Sequence, residues 1–143
     1  MQITDWKQED IPQITQIEQE CFSAAWDASA LYSAFALSGA CGVTAFEDGA
    51  LVGYVCGSVL FEDAEIFRVA VCPPYRKKGL GTALTEAFCE RAAKRGAERV
   101  FLEVRVCNAA AIALYKKCGF ENNRLRKKYY ENGDDGLEMI KNL

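Results

Sequence analysis

The chain has no histidine among its 143 residues, an absence that excludes whole classes of chemistry. Without imidazole there is no Ser-His-Asp or Cys-His engine, so any proton transfer falls to carboxylates, tyrosine, lysine, cysteine or water. No Cys-x-x-Cys pair occurs among the seven cysteines, at 21, 41, 56, 72, 89, 107 and 118. With no histidine to complete a ligand set, no metal site is expected. Most of the cysteines interrupt apolar patterns as small hydrophobes, and all seven are expected to be free and reduced. No apolar run approaches the length of a membrane span, and the start, Met1-Gln-Ile-Thr-Asp-Trp, lacks the cationic and apolar regions of a signal peptide. A cytoplasmic location without membrane contact is the default expectation. The net charge of −3 supplies no general field for polyanions, so nucleic acid is a poor candidate partner.

What is present is ordinary globular composition, half apolar and about a quarter charged, in a length that suits one domain over 1–143. Gln2 to Trp6 reads as a short strand. Asp10-Ile11-Pro12 opens a helix with Ile11, Ile14, Ile17 and Cys21 on one stripe, and Asp27 caps a second helix reaching about Leu37. Two strands flank the hairpin signal Glu47-Asp48-Gly49, and a third spans residues 64–72. A helix from Leu80 ends at Gly96; a buried strand covers Val100 to Val104; Asn108 caps a helix that Gly119 stops. Weaker strands lie near Phe120 to Arg126 and Leu137 to Ile140. The order βααβββαβαββ predicts an α/β (α+β) fold with a mixed sheet, a central βαβ unit of neighbouring parallel strands, and helices on both faces.

At the centre of that unit, Arg76-Lys77-Lys78-Gly79-Leu80-Gly81-Thr82 joins a strand to a helix. Unpaired N–H groups and the positive end of the macrodipole make such a helix start an anion site. Gly79 and Gly81 carry no Cβ to hold a phosphate chain away from the backbone. A Walker A loop would need a lysine after the second glycine, and a Rossmann turn would need a small residue at Leu84; neither fits. The alternative is a turn using glycine for geometry alone, with three solvated cations.

Glu103 interrupts Val100-Phe101-Leu102 and precedes Val104 in a strand that otherwise reads as buried. A carboxylate there either has a raised pKa, which suits a general base, or pairs with a cation such as Arg105 or Arg68. Asn108 and Tyr115 share one helix face about 10 Å apart along the axis. They either line a long ligand arm or serve as N-cap and core tyrosine.

The pattern Arg-x-x-Gly-x-Gly between strand and helix resembles the acetyl-coenzyme A pyrophosphate loop of the GCN5-related N-acetyltransferase superfamily. Residues 103–120, Glu-Val-Arg-Val-Cys-Asn-Ala-Ala-Ala-Ile-Ala-Leu-Tyr-Lys-Lys-Cys-Gly-Phe, look closely like the matching segment of the bacterial ribosomal-protein N-terminal alanine acetyltransferase branch. The likeness runs from Ile17-Glu18-Gln19, Phe22 and Trp26 to Arg126-Lys-Lys-Tyr129-Tyr130. It implies acetyl transfer from acetyl-CoA to the N-terminal amine of a protein, with a ribosomal protein among the acceptors. Acetylation of a small amine or a lysine, or a non-catalytic acyl-CoA-binding module, are the alternatives. By position, Val69, Ala70 and Val71 would hold the pantetheine and acetyl carbonyl. Arg76, Lys77, Lys78, Gly79, Leu80, Gly81 and Thr82 would hold the pyrophosphate, and Asn108 the cofactor arm. Glu103 would be general base, acting through water, and Tyr115 general acid toward the departing thiolate. Phe22, Trp26, Tyr129 and Tyr130 would line the peptide groove. The branch usually has Pro at Ala25 and commonly Asn at Arg68, departures that bear on the acceptor more than on the chemistry.

Overall fold

The computed structural model describes residues 1–143. Its elements are β1 (Gln2–Asp5), α1 (Ile11–Cys21), α2 (Ala28–Ala36), β2 (Ala40–Glu47), β3 (Ala50–Leu60), β4 (Asp63–Val71), α3 (Leu80–Lys94), β5 (Arg99–Arg105), α4 (Ala109–Lys117), β6 (Glu121–Arg126) and β7 (Gly136–Asn142). Short 3-10 turns at Gln8–Asp10 and Pro73–Tyr75 precede α1 and α3. Local chemistry sets the boundaries. Asp27 accepts a hydrogen bond from the Ala30 N–H at 2.8 Å, and Asn108 accepts one from Ala111 at 3.1 Å, so both act as N-caps. Asp48 and Gly49 have φ of 51° and 81°, the left-handed pair that a two-residue hairpin between twisted strands requires.

The seven strands form one sheet in the order β1-β2-β3-β4-β5-β7-β6, antiparallel except for the β4–β5 pair that α3 connects. On one face α3 buries Leu84, Phe88 and Ala92 with Val43, Val55, Val100 and Met139. On the other, α1 and α2 bury Ile11, Ile14, Ile17 and Leu31 with Tyr54, Cys56 and Ala70. Both faces of β3 are therefore covered, which is why Leu51 to Gly57 is buried without alternation. No helix is long and apolar enough to cross a membrane.

The expected parallel neighbours pair only in part. Asp63 to Ile66 lie against Arg99 to Leu102, and there the ladder stops. Immediately beyond, Gly57 opposes Ile66 and Cys56 opposes Arg68, so Phe67 is the extra residue of a β-bulge. Gly57 permits it, because a Cβ there would lie 1.8 Å from the Glu65 carbonyl oxygen. Meanwhile β5 continues against β7 to Arg105. The two central strands part, leaving the β4 backbone from Phe67 to Val71 without a partner on its β5 side. A cleft opens there, at Glu103.

Candidate active site

At one end of the cleft, Gly79 is the N-cap of α3 at φ +80°, with open space where a Cβ would be, and Lys77 has φ +63°. The N–H groups of Leu80, Gly81 and Thr82 reach no protein acceptor, and no side chain caps the helix. These are the orphan donors that an anion would satisfy. Arg76 turns back, its Nε donating to the Val71 carbonyl at 3.0 Å, which ties the loop to the end of β4. Lys77 and Lys78 are exposed, with Lys78 Nζ 5.8 Å from the Tyr75 ring centre. Gly81 differs from the sequence expectation. It is buried, and its missing Cβ points at Leu114 Cδ1, 2.7 Å away, so its smallness serves the packing of α3 on α4. Gly81→Asp should therefore lower the melting temperature in a thermal scan, because it would bury a carboxylate against leucine. On the β4 side of this loop, Val69 and Val71 are half-buried and Ala70 is buried.

On the other side of the cleft is a groove of about 520 Å³ whose lining includes Trp26, Phe67, Arg68, Glu103, Tyr129 and Tyr130. A second hollow of about 500 Å³ continues from it over β5 and β7, sharing Glu65, Glu103 and Tyr129 and adding Arg126 and Glu138. Glu103 does have a cation nearby, though neither of the two expected. Arg105 pairs with Asp134 at 3.1 Å and Arg68 with Glu18 at 2.6 Å, whereas Arg126 Nε stands 2.8 Å from Glu103 Oε1. Burial pushes Glu103 above the usual carboxylate range; Arg126 opposes that shift, and Glu138 and Glu65 add to it. Its Oε2 is buried without a hydrogen-bond partner.

Tyr115 projects from α4, edge-on to Phe120 at 5.9 Å between ring centres. Burial pushes its phenol up to about 12, with Cys118 and Tyr130 contributing, so it stays protonated through neutral pH. Asn108 caps α4, as one of its two readings required. Tyr129 and Tyr130 stack edge to face at 5.1 Å and sit on Arg126 and Arg105 respectively. Gly136 makes room for Tyr129, since a Cβ there would meet its ring at 2.9 Å.

Sequence reasoning missed Glu18. It is fully buried, accepts from Tyr54 Oη at 2.5 Å and from the Trp26 N–H at 2.9 Å, and ion-pairs with Arg68. The Arg68 guanidinium lies 4.0 Å from the Phe22 ring centre and 4.9 Å from that of Trp26, and donates to the Ala24 carbonyl at 3.2 Å. The segment between α1 and α2 is thus fastened to β4 beside the groove. The signal was available: Glu18 is four residues from Ile14 and seven from Ile11, on the apolar stripe of α1, where a carboxylate needs a buried partner.

The acetyltransferase (GNAT) family model matches residues 11–120. The chain belongs to this family. It is 36% identical over 140 residues to a provisionally named [ribosomal protein bS18]-alanine N-acetyltransferase of Bacillus subtilis (strain 168), covering 96% of this chain and 92% of that one. It is 33% identical over 138 residues to the [ribosomal protein bS18]-alanine N-acetyltransferase of Escherichia coli (strain K12), covering 92% and 88%. The crystal structure of the ribosomal-protein-S18-alanine N-acetyltransferase from Escherichia coli superposes with a TM-score of 0.91 at 31% identity, over 99% of this chain and 92% of that one. Membership fits the geometry: a helix start with orphan amides, a parted pair of parallel strands, and a groove on the far side of the opening.

Proposed function

We propose that this GNAT-family acetyltransferase transfers acetyl from acetyl-CoA to the α-amine of a protein N-terminus, with an alanine-initiated ribosomal protein as acceptor. The observation that carries this is the parting of β4 and β5, which joins the unfilled amides of Leu80 to Thr82 on one side to Glu103 and the groove on the other. In this reading the pyrophosphate lies on the turn from Arg76 to Thr82. The pantetheine runs along the unpaired backbone of Val69, Ala70 and Val71, with Asn108 beside its arm. The acetyl carbonyl then sits where the strands part. A peptide enters between Phe22 and Trp26 on one wall and Tyr129 and Tyr130 on the other.

Glu103 takes the proton of the incoming ammonium through water, and the neutral amine attacks the thioester directly. An α-amine with pKa near 8 costs about 1 kcal/mol to deprotonate at pH 7, and a lysine near 10.4 costs about 4 to 5, so one carboxylate suffices for the first. Tyr115 donates its O–H to the sulfur as the C–S bond breaks. A phenol at about 12 is a weaker acid than a thiol near 8.5, so Tyr115 keeps its proton and stabilises the departing thiolate by hydrogen bonding to its developing charge. Tyr115→Phe is expected to lower kcat by about 10²-fold while acetyl-CoA affinity by calorimetry is retained. Loss confined to affinity would make Tyr115 part of the pocket wall.

The test of the whole reading is an acetyl-transfer screen, read by mass spectrometry, over N-terminal peptides including alanine-initiated ribosomal ones, lysine peptides with blocked N-termini, and free amines. Preference for the alanine-initiated peptides is expected. Because Glu65, Glu103 and Glu138 all line the hollow that continues from the groove, a small polyamine is the second reading, and preference for it would replace the first.

A further inference from the structure

The β5–β7 register sets Glu103 directly opposite Glu138, an arrangement that is unfavourable for like charges unless a cation is shared. Arg126, on β6, is that cation, but it divides itself unequally. Its Nη2 donates to Glu138 Oε2 at 3.0 Å, while its Nε is close to Glu103 Oε1 with no N–H directed along that line. Glu138 is also held by Asn123 Nδ2 at 2.6 Å and faces Arg124 at 3.7 Å. One carboxylate is rich in donors, and the other has an unpartnered oxygen.

We propose that Glu138 is a positioning residue for the base: it holds the Arg126 guanidinium on itself and prevents a two-pronged grip on Glu103, leaving a Glu103 oxygen free to accept the acceptor's proton. This rests on Glu103 being the base. The titratable and charged groups that face Glu103 are Glu138 on β7, Arg126 on β6, Glu65 on β4, and Tyr129 and Tyr130 in the β6–β7 connection. Arg105 is turned toward Asp134 and Asn132, and Arg68 is committed to Glu18, so neither competes for Glu103. The ordering of the two carboxylates agrees with the geometry. Burial pushes Glu103 up, whereas the hydrogen bonds from Arg126 and Asn123 overcome burial and pull Glu138 down. Arg–carboxylate forks are strong because two parallel N–H bonds form at once, so a released Arg126 would have a ready alternative partner in Glu103.

The experiment measures kcat/KM against pH for an accepted peptide in wild type, Glu138→Gln, Arg126→Gln, the double variant and Glu103→Gln, with melting temperatures alongside. Glu138→Gln removes the like charge and frees the guanidinium, so the acidic limb should move to lower pH and the plateau should fall about 10-fold. Arg126→Gln should move the limb to higher pH, because Glu103 then keeps Glu138 as a neighbour without the cation. The double variant should regain most of the plateau lost in Glu138→Gln. If Glu103→Gln keeps wild-type turnover, the base reading itself fails. If Glu103→Gln is crippled while Glu138→Gln leaves limb and plateau in place, or lowers the rate without moving the limb, the positioning role is overturned. Absence of recovery in the double variant also overturns it, and the Arg126→Gln limb decides the matter should Glu138→Gln not fold.

Discussion

Replacing Glu18 by glutamine is expected to destabilise the fold by about 3 kcal/mol, equivalent to roughly 10 °C in Tm for a chain of this size. The carboxylate is fully buried and serves three donors on three elements: Tyr54 on β3, Arg68 on β4 and the Trp26 backbone beyond α1. Glutamine has nearly the same volume, so no cavity forms and the loss is electrostatic. One of its two terminal groups becomes a donor and must face either the Arg68 guanidinium or the Tyr54 hydroxyl. Removing one partner of a buried pair is more costly than the pair is worth, because the survivor stays desolvated. Arg68 keeps some relief: its side chain is 19% exposed and retains the Phe22 and Trp26 rings, which places the loss at the lower end of the range for buried pairs. A double-mutant cycle with Arg68→Met, followed by thermal unfolding, measures the coupling. Additive losses would show that the two side chains stabilise the fold independently. Arg68 thereby acquires a physical role: it staples the groove wall to the sheet.

The local elements were legible because their causes are local. Asp27 and Asn108 announce helix starts by a hydrogen bond spanning three residues, and Asp48-Gly49 announces a hairpin by the sign of φ. The βαβ unit and the two covered faces followed from the apolar period. The partner of Glu103 did not follow, because β7 inserts between β5 and β6 and brings Arg126, twenty-three residues away, across an intervening strand. Strand order beyond the central unit has no signature in periodicity. The bulge at Phe67 was equally hidden: it depends on how Gly57 and Glu65 approach, which neither segment records alone. Gly81 shows the opposite hazard. A glycine in a phosphate-type turn invited a ligand explanation, while its actual neighbour is Leu114, thirty-three residues on.

Glu103→Gln is expected to lower kcat/KM near neutral pH by about 10²- to 10⁴-fold, the scale of general base catalysis, with little change in acetyl-CoA affinity. The sign of the pH dependence follows from the shift. Burial raises Glu103 above the usual carboxylate range, and the ionised form is the active one, so wild-type kcat/KM should climb as pH rises through that elevated value. A second climb follows as the acceptor amine, near 8, becomes neutral. Glutamine keeps the shape and removes the first climb, leaving a rise governed by the amine alone and partial recovery at high pH. The structural alternative predicts a different pattern. Were Glu103 only an ion-pair partner, glutamine would leave Arg126 hydrogen-bonded to Glu138 at 3.0 Å, with its side chain one-third exposed. No buried cation would be stranded, so turnover and Tm would both stay near wild type. Steady-state profiles from pH 5 to about pH 9, with mass-spectrometric confirmation of the acetylated peptide, separate the two cases. Unchanged turnover across that range would remove Glu103 from the chemistry, whatever its neighbours.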